Sequence, residues 1–135
     1  MSKDLIQKWL KFAKSDLEAA EYLFHKPNAN QWTYLLVVWH CHQAIEKILK
    51  AIIIKQNKDL LRIHDLLRLF DIIADKKLFS KFQKDFLMAL NQYYITPRYP
   101  DLPLKKSQPI INRQKAKDIL EKSRNLFLCL EKKVN

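Results

Sequence analysis

From Gln31 to about Gln56 the chain carries no proline or glycine, and the middle of that stretch is the longest apolar run it has. The run reads Tyr34-Leu-Leu-Val-Val-Trp-His-Cys-His-Gln-Ala-Ile-Glu-Lys-Ile-Leu-Lys-Ala-Ile-Ile-Ile54. It predicts one long helix, around which everything else must pack. At about 100° per residue, Tyr34, Val37, Val38, Cys41, Ala44, Ile45, Ile48, Leu49 and Ile52 fall on one broad face. His40, Gln43, Lys47 and Lys50 fall on the other, interrupted by Leu35, Leu36, Trp39, Ile53 and Ile54. That is too much large apolar surface for a face left to water, so the helix is expected to be central or shared with another chain.

The remaining elements follow from the same periodicity. Ser2 can cap a first helix, with Asp4 in its first turn, that runs to about Phe24 and stops at His25-Lys-Pro-Asn-Ala-Asn30. Its expected buried face is Leu5, Trp9, Phe12, Ala13, Leu17, Ala20 and Leu23. Asn30 caps the central helix and the Gln56-Asn-Lys-Asp59 turn closes it. His64 or Asp65 starts a short helix with Leu66, Leu67, Phe70 and Ile73 inward. A fourth helix, about Leu78 to Tyr94, has Phe79, Phe82, Phe86, Leu87, Leu90 and Tyr94 at core spacing. Asn112 can cap a last helix to about Lys132, with Ala116, Ile119, Leu120, Ser123, Phe127 and Leu130 inward. Between these two helices lies the longest irregular segment, Ile95 to Pro109, holding four of the chain's five prolines. Those prolines end the fourth helix and keep the loop extended.

The expected fold is therefore all-α: four long helices, one short helix and a proline-stiffened loop, in a single domain over 1–135. The 135 residues contain no glycine, which rules out glycine-dependent phosphate loops of the Walker and Rossmann kinds. Cys41 and Cys129 are far apart and sit in apolar helical patterns, so reduced core thiols in a reducing cytoplasm are expected. The first residues lack an apolar signal segment, and the central run carries His40, His42, Glu46, Lys47 and Lys50, so no membrane span is expected. A formal charge of +11 raises affinity for polyanions such as nucleic acid or nucleotides, or for an acidic partner. The lysines are scattered, however, with no block of more than two like charges, a pattern equally suited to solvated helix faces.

Several residues could carry chemistry. Asp16 lies inside the apolar arc of the first helix, where a carboxylate is costly unless a cation or backbone donor meets it. A half-solvated rim position, an ion pair with a later Lys, Arg or His, and direct chemistry are the alternatives. His40 and His42 point about 160° apart on one helix and cannot share an ion. His42, Glu46 and Lys50 form an i, i+4, i+8 line, read as a surface ion-pair ladder. No Gly-x-Ser-x-Gly, Cys-x-x-Cys or His-Glu-x-x-His occurs, so hydrolase and zinc-enzyme readings have no motif behind them. Arg98-Tyr-Pro-Asp101 places a guanidinium, a ring and a carboxylate on a chain restrained by prolines. Arg98 can take phosphate bidentately and Tyr99 can stack a base. The alternative is that Arg98 and Asp101 pin the loop while Tyr99 plugs the core.

Four groups of residues occur in order: Trp9, Ala13, Asp16-Leu17 and Ala20; Gln43-Ala-x-Glu46-Lys47-x-x-Lys50-Ala51; His64-Asp65-Leu66; and Tyr94 followed by Arg98-Tyr-Pro-Asp101. Together, over about Leu5 to Leu130, they resemble the HEPN domain (higher eukaryotes and prokaryotes nucleotide-binding). The resemblance implies an up-and-down bundle of four to five helices, usually dimeric, similar to the substrate-binding helical domain of kanamycin nucleotidyltransferase. It also implies a partner, since such proteins are often paired with a minimal nucleotidyltransferase as a two-component or toxin–antitoxin system. Many members are metal-independent RNases that use an Arg, four to six intervening residues, then a His. This sequence departs from that pattern. Its histidines are His25, His40, His42 and His64, and the only Arg before any of them is Arg62, with a single residue between it and His64. Arg98 cannot replace the missing acid or base, being protonated at any working pH.

The expectation is a cytoplasmic, non-catalytic accessory module, a homodimer that binds a nucleotide or RNA beside a nucleotidyltransferase subunit. It uses no metal or cofactor. Lys47, Lys50, Arg98 and Tyr99 meet the ligand, and Asp16, Gln43, Glu46, His64 and Asp101 orient them. The alternatives are a ribonuclease with an unusual site built from Asp16, His64 and Lys47, and a purely structural dimerisation or interaction module.

Overall fold

The computed structural model describes residues 2–73, 75–93 and 111–135. The described residues form five α-helices: α1 (Ser2–Phe24), α2 (Gln31–Lys55), α3 (Leu66–Ile72), α4 (Lys81–Asn91) and α5 (Arg113–Val134). There is no strand among the described residues. None of these helices is long and apolar enough to cross a membrane.

The clearest helix starts fall where a short polar side chain can take the first free N–H groups. Asn30 accepts from the amides of Trp32 and Thr33 at 2.9 and 3.1 Å, while Thr33 Oγ1 accepts from the Asn30 amide at 3.3 Å. This closes a reciprocal box at the head of α2. Ser80 and Gln83 make the same box at α4, and Asn112 accepts from Lys115 at 2.8 Å at α5. The end of α2 is equally defined. Asn57 sits at φ 56°, and the amides of Asn57 and Lys58 return to the carbonyls of Ile54 and Ile53. Asn is among the few residues that take this left-handed position at low cost.

α2 is the axis of the bundle. It packs against α1, α5, α3 and α4, and every residue from Cys41 to Ile53 is buried. α1 runs antiparallel to α5, as Gln7 meets Asn135, Lys14 meets Glu131 and Glu21 meets Arg124. α2 and α5 run parallel and finish together, where Lys55 Nζ donates to the carbonyl of Val134 at 2.6 Å. At the opposite end the Arg113 guanidinium lies 4.6 Å from the ring of Phe24.

The structure corrects the sequence expectation in four places. Three helices are long; α4 has 11 residues and α3 has 7. α4 starts at Lys81 rather than near Leu78, because Lys76–Leu78 forms a 3-10 turn and the Ser80 cap restarts the chain. Phe79 still reaches the core from that turn, stacking edge-on against Phe70 at 5.0 Å. On α1 the buried positions are Ile6, Leu10, Ala13, Asp16, Ala20 and Phe24, while Leu5 and Phe12 are exposed. α1 is thus rotated about its axis from the expected face, with Ala13 and Ala20 common to both. Phe82, expected inward on α4, is 65% exposed. Tyr94, the expected end of α4, lies outside the described residues.

Candidate ligand-binding site

The polar side of α2 is where the sequence and the packing conflict. The enclosed stretch of α2 from Cys41 to Ile53 carries His42, Gln43, Glu46, Lys47 and Lys50, and all five are buried. Water screens them little, so each charge needs a partner. The chain supplies two sets.

The first set joins α1 to α2. Asp16 Oδ1 lies 3.0 Å from His40 Nδ1, and Asp16 Oδ2 accepts from Lys47 Nζ. The Lys47 ammonium also sits 3.6 Å from the centroid of the Phe12 ring. This explains why Phe12 faces outward: its ring lies over the ammonium, trading burial for a cation–π contact. Of the three alternatives for Asp16, the structure selects the ion pair with a later basic residue, Lys47.

The second set centres on Glu46. Its Oε2 accepts from Lys50 Nζ at 2.9 Å, and His64 Nδ1 lies 3.1 and 3.2 Å from its two oxygens. His42 Nδ1 is 3.8 Å from Oε1. Trp9 stands over Lys50 at 5.5 Å. His42, Glu46 and Lys50 therefore do not form a surface ladder. Their i, i+4, i+8 line is buried, because α1 and the segment before α3 cover that side of α2. Two carboxylates face two lysine ammoniums across the whole layer, so it is locally near neutrality.

His64 is held by the local fold. Asp65, not His64, caps α3, accepting from the amides of Leu67 and Arg68. Asn91 at the end of α4 donates to Asp65 Oδ1 at 3.0 Å and accepts from the Leu66 amide at 2.8 Å. This clasp ties the start of α3 to the end of α4 and leaves His64 facing Glu46.

Of the residues singled out from sequence, Asp16 and Lys47 come together, as do Glu46, Lys50 and His64. The trio Asp16, Lys47 and His64 is divided between the two sets. Gln43 is also buried on α2, with its Nε2 lacking a hydrogen-bond partner among the described residues. Arg98, Tyr99 and Asp101 lie outside the described residues. Among the described residues no group of three His, Cys, Asp or Glu side chains is placed to hold a metal ion. Sequence reasoning missed His40, Trp9 and Phe12 as parts of the layer. Their signal was present: His40 and Lys47 are seven apart on one face, and Trp9 and Phe12 flank the same arc of α1 that bears Asp16.

Three comparisons bear on this arrangement. The family model for the HEPN domain matches residues 6–133. The crystal structure of TT1696 from Thermus thermophilus is similar with a TM-score of 0.78 and 22% identity. That match covers 95% of this chain and 97% of that one, and at this identity it speaks for the fold alone. No curated protein matches the chain by sequence.

Proposed function

The chain belongs to the HEPN domain family, and on that premise we propose that it is a nucleotide- or RNA-binding accessory module, dimeric, acting with a separate nucleotidyltransferase subunit. Family membership supports a helical domain directed at nucleotides or RNA, or one of RNase type. Within that range, the sequence favours binding over cleavage, because no histidine follows an arginine at the spacing the RNase members use.

The observation that carries the reading is the buried ion-pair layer on α2. An apolar layer of the same volume would be as stable or more so, since burying charges costs desolvation that the pairing only offsets. Burying these groups at that cost makes the layer a candidate for function. In this reading the resting protein keeps Lys47 on Asp16 and Lys50 on Glu46, and an incoming phosphate competes for the ammoniums. Arg98 and Tyr99 complete the site. Arg98 follows Asn91 by seven residues, which an extended chain spans in up to ~25 Å.

Titrating ATP and short RNAs against the wild type, Arg98→Ala and Asp16→Asn tests this. Arg98→Ala is expected to weaken binding. Asp16→Asn releases Lys47 and is expected to tighten binding while lowering stability by about 3 kcal/mol. Equal binding by wild type and Arg98→Ala, or by neither, overturns the site assignment. Incubation with total RNA in EDTA beside a His64→Ala control addresses cleavage, and activity lost in that variant would make the protein an enzyme instead.

A further inference from the structure

Asp16 joins α1 to the polar side of α2, and it serves two basic side chains with separate oxygens. Oδ2 accepts from Lys47 Nζ, and Oδ1 lies 3.0 Å from His40 Nδ1. An ionised carboxylate only accepts, so Nδ1 carries the hydrogen and the lone pair of the neutral ring is on Nε2. The three side chains differ in their access to water: His40 is 23% exposed, against 11% for both Asp16 and Lys47. Protons therefore reach this set through the imidazole.

Among the described residues, Asp16 faces His40 from α1, and Lys47, on the same helix as His40, shares that carboxylate. The adjacent Trp39 ring is uncharged, and Cys41 stays a neutral thiol because burial pushes its pKa up to about 12. While Lys47 holds Asp16, the carboxylate is already compensated, and an imidazolium would set a second positive charge on it. Once Lys47 is drawn to another anion, Asp16 is left buried and ionised, a costly state. His40 touches that carboxylate and can supply the new positive charge, since imidazole gains and loses its proton between about pH 5 and 8. Glu46 is not matched to a single ring in this way, having His64 beside both oxygens and His42 3.8 Å from Oε1.

We propose, on the reading of Lys47 as a phosphate ligand given above, that phosphate binding there takes up a proton at His40. The Lys47 ammonium leaves Asp16 Oδ2 for a phosphate oxygen, and His40 Nε2 binds a proton from solvent. The imidazolium stays on Asp16 Oδ1 through its Nδ1 hydrogen. One positive charge thus replaces another beside the carboxylate, and Asp16 never loses its partner. Because the bound state holds one proton more than the free state, affinity rises as pH falls. Across the imidazole range the rise approaches ~10-fold per pH unit, the slope for one proton.

A short RNA with hydroxyl ends is the probe, because its phosphates are diesters and lack the second ionisation near ~6 of a phosphate monoester. Calorimetry of the full chain in two buffers of different ionisation enthalpy counts the protons taken up on binding. The wild type is expected to take up as much as ~1 proton per RNA bound near about pH 7, and to bind more tightly at lower pH. His40→Gln is expected to lose that uptake and to flatten the pH dependence of affinity. Gln can still donate to Asp16, and the wild-type count requires no variant, so the test does not hang on the variant's folding. A His40 that only braced Asp16 would leave the proton count at zero. Binding without proton uptake, or uptake that persists in His40→Gln, overturns the coupling and leaves the phosphate site standing. No binding by the wild type overturns the site and the coupling with it.

Discussion

Cys41 and Cys129 carry the same thiol in different surroundings. Cys41 is fully buried, and burial, aided by the nearby Asp16 charge and opposed by the Ser123 hydroxyl, pushes its pKa up to about 12. Cys129 is partly exposed on α5. At about pH 8 a thiol reagent is therefore expected to modify Cys129 in the native protein and Cys41 only on unfolding, a difference that mass analysis with and without urea reads directly. The raised value also sets a pH dependence. In the unfolded chain the thiol ionises near ~8.5, so the contribution to stability is complete below that pH and is lost as pH rises toward about 12. Tyr93, also raised, acts in the same direction. Urea midpoints are expected to fall from about pH 9 upward, less steeply in Cys41→Ala. The candidate site was partly legible at this scale. Asp16, Glu46, Lys47, Lys50 and His64 are conspicuous as charges within apolar patterns. Which carboxylate meets which lysine was not legible, because that pairing joins residues up to 31 positions apart.

At the level of elements, caps were the most readable feature, since a cap is made by residues within one turn of each other. Asn30 and Asn112 stand where the helical pattern begins, and each accepts from amides in the first turn that follows. Asn30→Ala removes the acceptor for two amides of α2 and is expected to cost about 1 kcal/mol. Thr33→Ala removes the reciprocal bond, and because both belong to one box, the double variant is expected to lose less than the sum in urea unfolding. The face of α1 and the start of α4 were less readable. Leu5, Trp9 and Phe12 have core-like spacing, but Ile6, Leu10, Asp16 and Phe24 are the positions buried beside Ala13 and Ala20. On α4, Phe79 satisfies the core from a 3-10 turn, so its apolar position implied a helix that begins later than the pattern does.

For the molecule as a whole, α2 carries the core. Ile45, Ile48, Leu49 and Ile53 are fully enclosed, with no solvent side toward which a cavity could collapse. Leu49→Ala is therefore expected to cost toward the upper part of the roughly 2–5 kcal/mol range for such truncations, against a small effect for Leu128→Ala on the exposed side of α5. Urea unfolding of the two variants checks the contrast. The sequence by itself determined that the chain is helical, where most helices begin and end, and that α2 is either central or shared with another chain, because these depend on periodicity and on side chains acting within a turn. It also marked the charges that packing would have to accommodate. Only the tertiary structure decided that the polar side of α2 is buried rather than solvated, that Asp16 and Glu46 hold Lys47 and Lys50, and that Phe12 and Trp9 lie over those ammoniums. Each of these depends on how two or more helices rotate and approach one another, and that is set by the sum of contacts over the bundle rather than by any local pattern.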